Sequence, residues 1–288
     1  MTWTPAVAAA RAWSSGPHAH RLAQGIAVVG FAFSLWILVS IGIDSNGGTG
    51  GSDALAYWQA GRAILNGAPL YGADVGTTSA FLYSPLFAQV VTPSTLLPQV
   101  AFVWAWRLLE LAGLRIAIGS WTRAGIALLV FPPLLIELAY ANVNLMIAAI
   151  CALAMRGAVA GWSVAILAKA AAIPLVPLAF LADRRIFLAS GAVALVAIAL
   201  SVIVAPTLWQ DYRAFLSTAQ EPMWWTNLSR GLPFGARLAV AIGVGVAAIR
   251  WRRLAPVAVL IGLPIVWLSS VSILVACVAR LPRAGVRD

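Results

Sequence analysis

The chain has 288 residues, of which 62% are apolar and 10% charged, against roughly 25% charged in an ordinary soluble domain. Nineteen basic and nine acidic side chains are too few to form the charged shell of a water-soluble fold of this size, so most of the surface must face lipid. The net charge of +10 comes from Arg residues scattered between apolar runs, a pattern of cytoplasmic loops that meet anionic headgroups, and nucleic acid is not an expected partner.

At about 20 residues per crossing, this length predicts an all-α polytopic membrane protein of roughly eight or nine transmembrane helices. A single membrane domain over 25–279 is expected between a cytoplasmic tail at 1–24 and a second tail at 280–288. The first tail carries Arg11, His18, His20 and Arg21, and the run 25–43 that follows reads as the first crossing. A cleaved leader is the alternative, but no small-x-small site precedes Asp44.

Residues 44–80 form the first outer loop, with three acids, Asp44, Asp53 and Asp74, and one base, Arg62. Within it, Leu55, Trp58, Arg62 and Leu65 recur at helical spacing. This predicts a short helix capped by Ser52 and lying on the membrane surface. The run 81–98 contains Pro85, Pro93 and Pro98, which leaves a kinked crossing and a segment tucked against other helices both open. Helices are expected over 99–119, 124–139 and 142–155, with Tyr140, Asn142 and Asn144 at an outer turn.

Residues 161–181, with Pro174 and Pro177 inside, are bounded by Arg on both sides, so the run is either a broken half-helix hairpin or a kinked crossing. A crossing over 186–205 leads to a second outer loop at 206–235, rich in Trp209, Tyr212, Trp224 and Trp225. Two last helices are expected over 238–249 and 254–279, separated by Arg250, Arg252 and Arg253. This path puts Arg280, Arg283 and Arg287 on the side opposite that Arg cluster, against the positive-inside rule.

Few residues can carry chemistry. Cys151 and Cys277 lie in apolar runs, and both histidines are in the N-terminal tail. That pattern offers no Ser-His-Asp or Cys-His catalysis and no transition-metal ligand set. Of the acids, Glu110, Glu137 and Asp183 fall on helices or at the cytoplasmic face, which leaves Asp44, Asp53, Asp74, Asp211 and Glu221 as outer candidates. Asp53 would serve either as a general base on a substrate hydroxyl, with Tyr57 and Trp58 stacking on a sugar, or as a helix-start acid that satisfies backbone amides. Lys169 is the only lysine; in mid-membrane it would cost on the order of 3 kcal/mol, so it either binds an anion such as a phosphate or snorkels to the interface. Arg230, in the second outer loop, is a further phosphate candidate.

The first outer loop then carries a more specific pattern. Asp53, Tyr57, Ala60-Gly61 and Gly67-Ala68-Pro69-Leu70-Tyr71, followed by Tyr83-Ser84-Pro85-Leu86-Phe87 and Leu97-Pro98, resemble glycosyltransferase family 87. Asn142-Val143-Asn144-Leu145 is similar to that family's Gly-Gln-x-Asn turn, and Lys169 with Pro174 to its Lys-x-x-Pro hairpin. Ser84 stands where the family has the first of two prolines, Asn142 where it has the glutamine of Gly-Gln, and Pro174 is five residues beyond Lys169 rather than three.

The resemblance implies a short member of the integral-membrane GT-C mannosyltransferases. It implies transfer from a polyprenyl-phosphate-sugar to a lipid or glycan acceptor, with the active site on the extracytoplasmic side of the plasma membrane. Asp53 is then the catalytic base and Lys169 lies near the lipid phosphate. Tyr57, Trp58, Arg62, Tyr71, Tyr83, Asn144 and Arg230 are expected in the substrate site, with neither cofactor nor metal. A non-catalytic paralogue and a lipid-linked-sugar transporter are the alternatives, the latter requiring repeated halves and a polar path across the midplane.

Overall fold

The computed structural model describes residues 16–44, 50–71, 80–168, 170–218 and 227–281. All regular elements among them are helical. Helix α1 (Pro17–Asp44) opens on its proline, eight residues earlier than hydropathy alone predicts, because proline's fixed φ suits a first helical position. It packs along α5 (Trp121–Val130) through Gly30 and Gly125, where an added methyl would strike the partner's backbone. Small residues that let backbones approach are the usual basis of helix association in lipid.

Helix α2 (Ser52–Asn66) is the helix expected in the first outer loop, with two differences. Its cap is Gly51, in the left-handed region at φ 72°, and no side chain caps it. Ser52 is the first helical residue, and the cap position before it has no room for a side chain, since a Cβ at Gly51 would collide with Val103. The buried face is Ala54, Tyr57, Ala60 and Gly61, whereas Leu65 points out. The helix therefore lies on the protein, where Gly61 makes room for Thr95.

The 81–98 run is tucked against other helices in short helical pieces. Helix α3 (Pro85–Val91) and a 3-10 turn (Thr92–Leu96) pack against α2. Ser84, the departure from the resembled pattern, is the N-cap of α3, its hydroxyl accepting from the Phe87 amide at 3.4 Å, with Pro85 in the first turn.

Helix α4 (Gln99–Ile118) ends at left-handed Gly119. The helix expected over 124–139 is broken: α5 and α6 (Pro133–Tyr140) meet at 99° across Phe131-Pro132, where consecutive prolines remove backbone donors. Helix α7 (Asn144–Met155) lies against α4, with Gly113 closing on the Leu145 carbonyl. The 161–181 run is in short pieces, α8 (Trp162–Ala168), a 3-10 stretch (Ala170–Leu175) and α9 (Val176–Ala182). Pro174 is seated on Gly245 and Gly262.

Asp183 caps α10 (Arg184–Val204), accepting from the amides of Arg185 and Ile186 at 3.0 Å each. The segment expected as the second outer loop opens with α11 (Pro206–Thr218). Two described helices, Pro17–Ser40 within α1 and Arg184–Val204, are long and apolar enough to cross a membrane, and the bent pair α5–α6 makes a third if taken as one broken span.

Beyond α12 (Phe234–Ala247), the single helix expected over 254–279 is instead a hairpin. Helix α13 (Ala255–Ile261) and a 3-10 stretch (Leu268–Val278) run in opposite directions, so the Cys277 thiol meets the Arg253 carbonyl at 3.4 Å. Arg280 thereby lies on the same end as Arg250–Arg253. Arg156 ties that end together by donating to the carbonyls of Arg280, Ile116 and Ala117 at 3.0, 2.9 and 3.3 Å. Arg252 donates to Met155 O at 2.9 Å. Arginine at helix C-termini satisfies carbonyls that have no partner within the helix, and the conflict with the positive-inside rule at Arg280 disappears.

Candidate active site

Helix α2 places Asp53 in its first turn, half-buried, where a carboxylate is favoured by the helix dipole. Its carboxylate accepts from the Asn142 Nδ2 group at 2.5 Å. The other end of the same amide accepts from the Val143 amide at 2.7 Å and from the phenol pair, with the Tyr83 hydroxyl at 3.0 Å and the Tyr57 hydroxyl at 3.3 Å; because the two phenols also share a hydrogen bond, one of them donates to the amide at a time. Those donors fix the orientation of Asn142, because a flipped amide would set its NH2 against N–H and O–H groups and its oxygen against a carboxylate.

The two phenols are 2.7 Å apart, and their rings meet edge to face at 5.0 Å. Tyr57 is 1% exposed and also packs on Phe87 and Trp106. Burial pushes both phenols well above the ordinary tyrosine range. Tyr83 and the Asp53 carboxylate add to the shift at Tyr57, and Asp53 adds to it at Tyr83, where the hydrogen bond from Tyr57 works against it. Both hydroxyls are therefore protonated donors at neutral pH.

Asn142 stands on a turn between α6 and α7 that opens with Ala141 in the left-handed region at φ 55°. The turn is held from several sides. Trp106 Nε1 donates to Asn142 O at 2.9 Å, Arg107 Nε to Leu138 O at 3.1 Å, and the Gly51 amide to Ala139 O at 2.7 Å. Glu137, fully buried, accepts from the Asn144 amide at 2.7 Å and from Asn144 Nδ2 at 2.8 Å. Glu110 on α4 is also fully buried, within electrostatic reach of Glu137, Arg107 and Asp53.

The residues singled out by sequence fall in different places. Asp53, Tyr57 and Tyr83 come together around Asn142. Asn144 is fully buried against Glu137. Trp58 is on the outward face of α2, with Nε1 donating to Leu97 O at 3.0 Å and the Arg62 guanidinium 5.8 Å from its ring centroid. Tyr71 donates to Tyr83 O at 2.8 Å, stacks on Phe215 and meets Tyr212 at a tilt, so it joins the segment after α2 to α11 beside the cluster. Arg230 is exposed on the turn after Asn227. Lys169, with Asp74, Glu221, Trp224 and Trp225, lies outside the described residues.

Sequence reasoning set Glu137 and Glu110 aside as helix acids and did not place Asn142, Trp106 or Arg107 among the site residues. The available signal was the acid itself, since a carboxylate in an apolar helix must find donors nearby. Among this chain's comparisons with known proteins, residues 81–287 match glycosyltransferase family 87. The matched stretch includes Tyr83, Asn142, Asn144, Lys169 and Arg230 and begins after Asp53 and Tyr57. No curated protein and no solved structure matches the chain.

Proposed function

Starting from a chain that belongs to glycosyltransferase family 87, we propose that it is a membrane hexosyltransferase that moves mannose from a polyprenyl-phosphate to a hydroxyl of a lipid or glycan acceptor. The observation that supports this reading is the half-buried Asp53 carboxylate, held by an oriented amide beside a wall of aromatic rings. A carboxylate so placed suits a general base that must be ionised and directed. In the proposed step, Asp53 takes the proton of the acceptor hydroxyl and the oxygen attacks the anomeric carbon. The bond from that carbon to the phosphate oxygen breaks, the lipid phosphate leaves, and the configuration inverts.

Negative charge grows on the leaving phosphate, and Lys169 and Arg230 are the cations assigned to it. The reading includes eight or nine crossings and an active site that opens on the extracytoplasmic face of the plasma membrane. The test uses purified protein with labelled polyprenyl-phosphate-mannose and total membrane lipid. Labelled product is expected with the native chain and none with Asp53→Asn, which keeps the size and the Asn142 contact but removes the base. Full activity of Asp53→Asn would remove Asp53 from this role. Movement of labelled lipid across a vesicle membrane without transfer would favour the transporter instead.

A further inference from the structure

A left-handed alanine is an unfavourable conformation for an L-residue and persists only where the surroundings over-determine it. Ala141 is such a residue, and the turn it opens delivers the Asn142 amide to Asp53. The Trp106 and Arg107 contacts hold backbone carbonyls of this turn and of the helix before it. The contact that closes the turn on its far side is different in kind, since the Glu137 carboxylate at the end of α6 accepts both the backbone amide and the side-chain amide of Asn144. Asn144 opens α7, so this carboxylate also meets the positive end of that helix. One buried side chain thereby spans the break between two helices, with Asn142, the residue that meets Asp53, inside the span.

We propose that Glu137 is a positioning residue for transfer, acting through Asn144 and Asn142 to hold the Asp53 carboxylate in its working orientation. The inference rests on Asp53 being the base. The titratable groups that interact with Asp53 are Tyr57 on its own helix, Tyr83 in the bend before α3 and Glu110 on α4, and Glu110 in turn faces Arg107 and Glu137. Of these, Glu137 alone makes the double contact to Asn144.

The contact has a polarity that can be reversed. In Glu137→Gln, the amide oxygen can keep the Asn144 backbone donor, but its NH2 faces the Asn144 NH2, and that bond is lost as long as the Asn144 amide keeps its present orientation. In the double variant Glu137→Gln, Asn144→Asp, the glutamine NH2 donates to the new carboxylate and both bonds return. Expected for purified protein is a fall in kcat of about tenfold or more in Glu137→Gln, with KM for the lipid donor within about twofold. The double variant should return to within about threefold of the native kcat. Asn142→Ala should lose at least as much as Glu137→Gln, and combining the two should add little, because both act through one amide.

Carbodiimide labelling of Asp53, read by mass spectrometry, gives a measure that needs no sugar donor. The reagent consumes the protonated carboxyl, and N–H donation favours the ionised one. Labelling should quicken in Glu137→Gln and slow again in the double variant. Native-like kcat and labelling in a folded Glu137→Gln protein, or a folded double variant no better than the single one, would overturn the proposal. So would additive losses with Asn142→Ala. If the native chain transfers no sugar from the lipid donor while labelling follows the expected order, the donor reading fails and the positioning role stands.

Discussion

The Asn142 amide is the point where two buried phenols and one half-exposed carboxylate meet, and each contact has a separate consequence. Removing one phenol hydroxyl, in Tyr57→Phe or Tyr83→Phe, leaves Asn142 Oδ1 with the Val143 amide and one hydroxyl. A net loss of about 1 kcal/mol is expected, or about a fivefold fall in kcat/KM for transfer, with a much larger loss when both are removed. The phenols also make a pH prediction. Their folded values are raised above the ordinary 10.0 by burial, and so is that of Tyr71. Below pH 10 they are protonated in both folded and unfolded chains and stability is unaffected. Above it the unfolded chain loses protons first, so stability falls as pH rises. At pH 11 the tyrosinate absorbance of the folded protein should stand clearly below that of the unfolded one. At this scale Asp53 and Tyr57 were singled out by residue type and spacing and Tyr83 by the family resemblance, and the structure brings the three side chains together. Glu137 and Trp106 were not, because their contacts join positions far apart in the chain or across a helix break.

Helix boundaries here follow local chemistry closely, and the departures come from packing. Gly51 starts α2 where a serine cap is expected from the sequence, since the left-handed backbone there runs against Val103. Gly51→Ala should therefore destabilise by more than about 1 kcal/mol, lower the thermal midpoint in detergent, and reduce transfer as well, because the helix start carries Asp53. Ser84→Ala should cost about 1 kcal/mol through loss of the α3 cap, seen as a lower midpoint with a smaller effect on transfer. The Pro132-Pro133 break was visible as residues, but hydropathy runs straight across it and predicts one helix. The bend of 99° is what aims the end of α6 at α2 and brings the Glu137 end of the helix to the site.

Across the whole molecule, α7 separates two ends of opposite character. Asn144 at its start belongs to the Asp53 cluster, and Met155 at its close is met by Arg252. Twelve residues of helix put about 18 Å between them. The far end gathers Arg156, Arg252, Arg253 and Arg280, where anionic headgroups are favoured. In a background with both native cysteines replaced, single cysteines at positions 253 and 280 should be labelled by an impermeant thiol reagent from the same side of the membrane. Labelling from opposite sides would contradict the hairpin of α13 and the 268–278 stretch. Composition alone determined that the chain is helical and lipid-embedded and that its chemistry rests on very few charged residues, because burying apolar surface in lipid depends on counts and runs that any window of sequence displays. Which of those residues meet was decided only by tertiary structure. The left-handed Ala141, the reversal after Ile261 and the amide that joins α2 to the turn before α7 depend on close approaches between segments distant in the chain, and no local pattern of residues encodes such an approach.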